Sequence, residues 1–516
     1  MLPRLLLLAL LLLGGCASAP PTPSHALPAH GTDLGAAVHK HAEAHPGQSG
    51  FRLLASSTDA LIARWELIRK AQRSIDLQYY IVHDGLTTRA LVHELLRAAD
   101  RGVRVRILVD DIGSDGRDYE LGMLGAHPNI QVRLYNPQHL GRATGLTRNL
   151  GRLLNLAQQH RRMHNKLWLA DYSVAIVGGR NIGDEYFNAK AEMNFSDLDL
   201  LGAGPVAREL GQSFDQYWNS AISRPIEDYL WRKPRPRDLA HLRRNLEAYL
   251  NRESVSHSTY MTRLGKANDE PLLDRWLDEL VWAPARAIWD APLKVLDSGE
   301  PKPEQALSTQ LVPLFRSVSS ELILVSAYFV PTDAGLAYLT QRADQGVSIR
   351  LLTNSLEATD VPAVHAGYGP YRMALLEHGV KLHELRAQPD PSLAGAPWRV
   401  RGSSSASLHS KAIVFDRRQV FIGSLNFDPR SMIWNTEVGV IVDSPELAER
   451  TRRLALAGMS RSVSYEVRID HSGSRPKLVW ISEHDGRPYR LRHEPGSLWR
   501  KLNVWIAGAI GLEKLL

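Results

Sequence analysis

From Phe51 onward the apolar residues fall into two alternating rhythms, one of helical period and one of short, nearly continuous runs. The pattern predicts a helix over 61–71, a strand over 74–82, a helix over 88–100 stopped by Gly102, and a strand over 103–109. The same order returns later. A helix is expected over 310–318, a strand over 321–330, a helix over 334–344 stopped by Gly346, and a strand over 347–352. Ala99-Asp100-Arg101-Gly102-Val103 and Ala343-Asp344-Gln345-Gly346-Val347 correspond. Strands alternating with helices predict helix-covered sheets, so the fold class is α/β, and internal duplication is the economical source of the repeat.

The flanks divide the chain further. Arg4, the apolar run 5–13 and then Gly14, Gly15 and Cys16 describe a secretory signal over 1–15. That run is too short to span a bilayer. Leu13-Gly14-Gly15-Cys16 resembles the bacterial lipobox, which implies that Cys16 is lipidated and begins the mature chain. Residues 16–50, rich in Ala, Pro and His, read as a solvated tether. His39, His41 and His45 have helical metal spacing but are assigned to that tether. The first α/β domain is expected over 51–235, a connector that lines the cleft over 236–305, a second domain over 306–465 and a C-terminal extension over 466–516.

Composition narrows the chemistry. The chain has 516 residues, a formal charge of +7 and a single cysteine, which excludes an intrachain disulfide and a cysteine metal site. A basic surface fits anionic lipid or nucleic acid. There is no Walker loop, nucleophile-elbow serine or convincing zinc spacing, so no metal or cofactor is expected.

The repeat is sharpest where it carries reactive groups. Met163-His164-Asn165-Lys166 leads to Asp171, Gly178, Gly179 and Asn181, and Leu408-His409-Ser410-Lys411 leads to Asp416, Gly423, Ser424 and Asn426. The shift is constant, since 409 − 164 = 245 and 426 − 181 = 245. A hairpin turning near residue 172 brings Asn181 back beside His164 and Lys166, and one turning near 417 brings Asn426 to His409 and Lys411. Lys166, Lys411, Asn181 and Asn426 are expected to hold phosphate oxygens, while one histidine attacks phosphorus and the other moves protons. Asp171 and Asp416 belong to the motifs but should sit in the turns, away from the reacting face. Asp197 and Glu437, downstream of each motif, are expected to orient the imidazoles. The paired glycines should let backbone approach a ligand.

The doubled His-x-Lys-x4-Asp-x6-Gly-(Gly or Ser)-x-Asn pattern resembles the two HKD motifs of the phospholipase D superfamily, over most of 51–465. The resemblance implies two similar halves, each a mixed β-sheet flanked by helices, packed as a pseudo-twofold pair with the active site between them. It also implies metal-independent phosphodiester transfer through phosphohistidine, with His164 as nucleophile and His409 as general acid. Spacing alone leaves the two histidines equivalent. Ser326-Ala327-Tyr328-Phe329, Thr353-Asn354-Ser355-Leu356-Glu357-Ala358-Thr359-Asp360 and Asn426-Phe427-Asp428-Pro429-Arg430 resemble bacterial cardiolipin synthases of the C type. That branch transfers a phosphatidyl group to phosphatidylglycerol, with phosphatidylethanolamine as donor. The implied partners are phospholipids and a membrane surface, ahead of nucleic acid, and the implied location is the bacterial cell envelope, lipid-anchored and facing the periplasm. The alternatives are a phospholipase D-type hydrolase or nuclease using water, and a silent lipid-binding lipoprotein. Near the C-terminus Trp499, Arg500, Lys501, Trp505 and Ile506 suit either a helix at a bilayer surface or a last helix packed on the core.

Overall fold

A computed structural model describes residues 22–114, 117–138, 160–190, 192–252, 255, 258–269, 271–297, 299, 301–388 and 405–509. The signal over 1–15 and Cys16 lie outside the described residues.

Two sheets form the body. The first contains β1 (Ser49–Leu54), β2 (Ser74–Tyr79), β3 (Arg104–Asp110), β4 (Ile130–Tyr135), β5 (Lys166–Ala170), β6 (Val174–Gly178), β8 (Asp199–Ala203), β9 (Ser223–Pro225) and β10 (Val281–Ala283). Its order is β10-β1-β8-β6-β5-β2-β3-β4-β9, with β2, β3 and β4 parallel. The short β7 (Met193–Ser196) stands outside it. The second sheet contains β11 (Ala285–Trp289), β12 (Glu321–Ser326), β13 (Ser348–Asn354), β14 (Lys381–Leu385), β16 (Lys411–Phe415), β17 (Gln419–Gly423) and β18 (Val438–Asp443). It is extended by β19 (Ser464–Asp470), β20 (Lys477–His484) and β21 (Arg487–Leu491), so the expected boundary at 465 falls within a strand. β15 (Ser405–Leu408) pairs only with β7. The two halves repeat one mixed α/β plan, as the sequence predicts.

Local chemistry explains the repeat. Helix Leu86–Asp100 ends with Gly102 at φ +93°, Gly102 N–H on Ala99 O and Val103 N–H on Ala98 O. Gly346 at φ +91° repeats that end, with Val347 N–H on Arg342 O. This pair of hydrogen bonds with a left-handed glycine satisfies the last carbonyls and turns the chain into the next strand. The motif hairpins turn through three residues, 171–173 and 416–418, with positive φ at Asp171 and Tyr172, and again at Asp416 and Arg417. Such turns match the strand twist, and aspartate tolerates the left-handed region better than most side chains.

Both faces of the central strands are covered, so the motif-bearing strands are almost wholly buried, whereas β20 and β21 at the edge of the second sheet are partly exposed. Alternate residues divide between cores. Trp168, Ala170, Val174 and Ile176 pack outward with helices Ser57–Lys70 and Leu86–Asp100. Leu167, Leu169, Ala175 and Val177 pack inward with Ala412, Val414, Val420 and Ile422 of the second half. A shared apolar core therefore holds the halves together.

Two expectations are corrected. The tether is folded from at least residue 24, where Ser24 N–H donates to Asn219 and Arg106 donates to Ser24 O. Helix Asp33–Ala42, capped by Thr32, buries Leu34 and Val38, an amphipathic pattern masked by the surrounding prolines and histidines. Its histidines diverge: His39 meets Glu43, His41 meets Asp278, and His45 stacks on Trp282. The connector does not line the cleft. Its helices pack against the first half, and it passes from β10 to β11, tying one edge of each sheet together.

Candidate active site

The site is built where each motif enters its sheet. Asp110, at the end of β3, accepts from Arg162 Nε at 2.8 Å and Met163 N–H at 2.9 Å, fixing the segment before His164. Asn354, at the end of β13, plays the matching part, accepting Leu408 N–H at 2.7 Å and donating to Leu408 O at 2.9 Å.

Each motif then pairs with the other half. β15 runs parallel to β7 with Leu408 opposite Ser196, and His409 N–H donates to Ser196 O. The next positions are His409 and Asp197, and His409 Nδ1 lies 2.7 Å from Asp197 Oδ2. Met163 bridges in parallel to Thr436, and His164 N–H donates to Thr436 O. The next positions are His164 and Glu437, and His164 Nδ1 lies 3.0 and 2.9 Å from the two carboxylate oxygens. The two proposed orienting carboxylates therefore serve the histidines crosswise. With Nδ1 of each ring committed to a carboxylate, Nε2 is the nitrogen left for chemistry.

His164 and His409 line one cavity of about 230 Å³, together with Asn181, Asn426, Tyr80, Tyr186, Tyr328, Asp360, Asp428 and Arg430. Tyr80 meets His164 edge-on, and Tyr186 and Phe195 flank His409. Lys166 and Lys411 are fully buried beside the cavity, and each ammonium donates to the backbone carbonyl of its own motif's histidine. An ammonium has three donors, so each keeps capacity beyond that bond. Asn181 accepts Ile81 N–H and donates to Tyr186 Oη, so it also ties two cavity walls together.

Asp171 and Asp416 sit in the hairpin turns and do not line the cavity. Asp171 accepts the N–H groups of Gln72, Arg73 and Ser74, and Asp416 those of Ser319, Ser320 and Glu321. Each clamps its hairpin to the start of the neighbouring strand. The glycine expectation is also corrected. A Cβ on Gly179 would lie 2.1 Å from Asp197 Oδ1, and one on Gly178 would meet Asp199, so these glycines admit carboxylates and a neighbouring strand rather than a ligand. Ser424, in the place of Gly179, instead donates its hydroxyl to Glu437.

Electrostatics separate the two histidines. Burial, with Lys166 and Lys411, holds His164 well below its usual range. Burial and Lys411 also push His409 down, to about 4, against the attraction of Asp197. Burial opposes charge on Asp197, but His409 and Lys411 outweigh it and hold the carboxyl at about 2. Glu437 is the reverse: burial pushes it up to about 7 despite Lys166 and Ser424. Burial likewise carries Asp428 to about 7. Both imidazoles are held neutral by burial and differ in their partners: His409 faces a carboxylate held ionised, and His164 one that burial raises.

Several members lie outside the motifs. Asp290 of the connector accepts Glu437 N–H at 2.8 Å and Lys294 Nζ at 2.9 Å, beneath the His164 dyad. Neither carries a local sequence signal. Asp360, Asp428 and Arg430 stand within the phrases noted above but only the fold reveals their shared cavity. Among the described residues no group of acidic, His or Cys side chains is arranged to hold a metal.

A family model described as "Cardiolipin synthase, PLD-like domain" matches residues 65–218 and 311–455. Cardiolipin synthase C of Escherichia coli K12 is 38% identical over 94% of this chain and 99% of its own length. The chain belongs to this family. Cardiolipin synthase A of Pseudomonas aeruginosa is 25% identical over 80% of this chain and 68% of its own length. The crystal structure of phosphatidylserine synthase from Haemophilus influenzae Rd KW20 superimposes with a TM-score of 0.55, covering 92% of this chain and 98% of that one at 14% identity, which shows the shared fold. As a family member with both motifs intact around one cavity, the protein is an enzyme of the phospholipase D superfamily.

Proposed function

We propose that the protein is a phosphatidyltransferase that makes cardiolipin from phosphatidylglycerol and a phospholipid donor, phosphatidylethanolamine by the family resemblance, through a phosphohistidine at His164. The observation that carries this reading is the crossed pair of His–carboxylate dyads around one cavity. His164 Nε2 attacks the donor phosphorus while the bond to the headgroup oxygen breaks, and His409 gives that oxygen its proton. A phosphatidylglycerol hydroxyl then enters, loses its proton to His409, and attacks phosphorus as the P–N bond breaks. The phosphodiester's negative charge offsets the burial that disfavours protonated His409 and the charged lysines, whose ammonium groups stabilise the transition state. Lipidated Cys16 would tether the enzyme to the cell envelope, facing the periplasm.

The test offers purified protein both lipids in mixed micelles with a chelator present. Cardiolipin formation, abolished by His164→Ala, is the expected result. Phosphatidic acid as the only product would make the enzyme a hydrolase, and degradation of single-stranded DNA without lipid turnover would make it a nuclease.

A further inference from the structure

No described helix is long and apolar enough to cross a membrane. Helix Leu498–Ala509 nevertheless leaves Leu498, Trp499, Leu502, Trp505 and Ile506 exposed, the two tryptophans at 68 and 69%. These positions recur at helical spacing and form one stripe. A last helix packed as core would bury that stripe, yet Ala507 is its buried member. The helix carries Arg500 and Lys501 and no acidic residue.

The opposite side of the helix is seated firmly. Arg500 Nη1 donates to Thr359 O at 2.6 Å and Leu356 O at 3.1 Å. The helix packs on helix Val364–Tyr368. Asp360, Val361 and Val364, within and beside that seat, line the active-site cavity. The stripe is therefore carried by the segment that forms one cavity wall.

Cavity size makes the placement meaningful. A volume of about 230 Å³ lies below the roughly 300 Å³ at which pockets begin to enclose drug-sized ligands. It admits a phosphate and headgroup but not two acyl chains, which must stay in the bilayer while the headgroup reacts. Tryptophan and aliphatic side chains in one stripe, with Lys501 on the same short helix, match the chemistry of an anionic lipid interface.

We infer that helix Leu498–Ala509 is a bilayer-docking surface that seats the active-site cavity on anionic phospholipid membranes. The inference rests on the proposed lipid reaction for its purpose, but binding can be read without chemistry. The test uses the full chain carrying Cys16→Ser, so that no acyl group contributes, with and without Trp499→Ser and Trp505→Ser. Partition is measured by sedimentation with vesicles of phosphatidylglycerol and phosphatidylcholine.

The serine pair is expected to weaken partition about a hundredfold, as removing two partly inserted aromatic side chains should. Turnover on vesicles should fall with it, whereas turnover of a short-chain phospholipid below its micelle concentration should be unchanged. Unchanged partition would overturn the inference. So would light scattering that shows a dimer dispersed by the serine pair, because a second copy would then occupy the stripe. A parent protein that turned over no phospholipid would refute the proposed function, while the partition result would still decide the surface.

Discussion

The crossed dyads predict that a carboxylate variant in one half will behave like a histidine variant in the other. Consider a phosphatidyl donor whose leaving group is p-nitrophenol, which departs as a stable anion. Forming the phosphoenzyme then requires His164 and its partner but no proton from His409. Resolving it still requires His409 as base. Asp197→Asn and His409→Ala should therefore release a burst of p-nitrophenolate and stall, while His164→Ala gives no burst and Glu437→Gln a much slower one. The fall of the Asp197 carboxyl from 3.8 to about 2 corresponds to roughly 2 kcal/mol in favour of its charged form, net of burial. Loss of that carboxylate's charge should slow resolution about sixtyfold, the factor that a fall of about 1.8 represents. An orienting carboxylate in a comparable triad can be worth about 10⁴ in kcat, which sets the upper range. A stopped-flow burst followed by the steady state separates the two steps. Loss of the burst in Asp197→Asn with its retention in Glu437→Gln would refute the crossed assignment.

Four further predictions are simpler. With the same donor, the burst rate should rise with pH through about 7: Glu437, raised by burial, accepts the His164 Nδ1 proton only when ionised, and Glu437→Gln should flatten that limb of the profile. Gly179→Ala should drive its methyl into Asp197 and cut turnover at least as far as Asp197→Asn, measured by steady-state assay. Asp416→Asn should lower stability by about 1–3 kcal/mol, through weakened bonds to three backbone N–H groups, while leaving kcat nearly unchanged in the folded fraction, as denaturation and turnover together would show. Lys294→Met should cost about 3–5 kcal/mol, because it leaves buried Asp290 without its cation, with the loss read as a lower denaturation midpoint.

Much of the fold was legible because its signals are local. The hairpin expected near residue 172 is present, with β6 as its return strand, and the glycine stops at 102 and 346 are real helix ends. The hairpin pairs Ala170 with Val174 and Leu167 with Val177, and His164 and Asn181 line the same cavity. What failed depended on other segments. Helix Asp33–Ala42 is held by surfaces far along the chain, so its composition resembled a tether. The glycines at 178 and 179 give no local sign of what fills the space beside them, since the Asp197 and Asp199 carboxylates come from a later strand and loop. Asp290 and Lys294 contribute through burial beneath Glu437, which leaves no motif.

The crossing itself explains why the orienting pair was visible while its wiring was not. Within each half, Asn181 and Asp197 are 197 − 181 = 16 residues apart, whereas Asn426 and Glu437 are 437 − 426 = 11 apart. The duplication that fixes the motifs at one shift has thus lost its common register before the carboxylates. Only parallel pairing between β7 and β15, and between Met163 and Thr436, decides which histidine each one meets. Each dyad therefore exists only when both halves are docked. A half expressed alone retains His, Lys and Asn from one motif but lacks the carboxylate for its own imidazole, and exposes the apolar face that the other half covers. Mixing separately expressed halves should restore turnover only to the extent that they reassociate, with the rate rising with the concentration of the partner half.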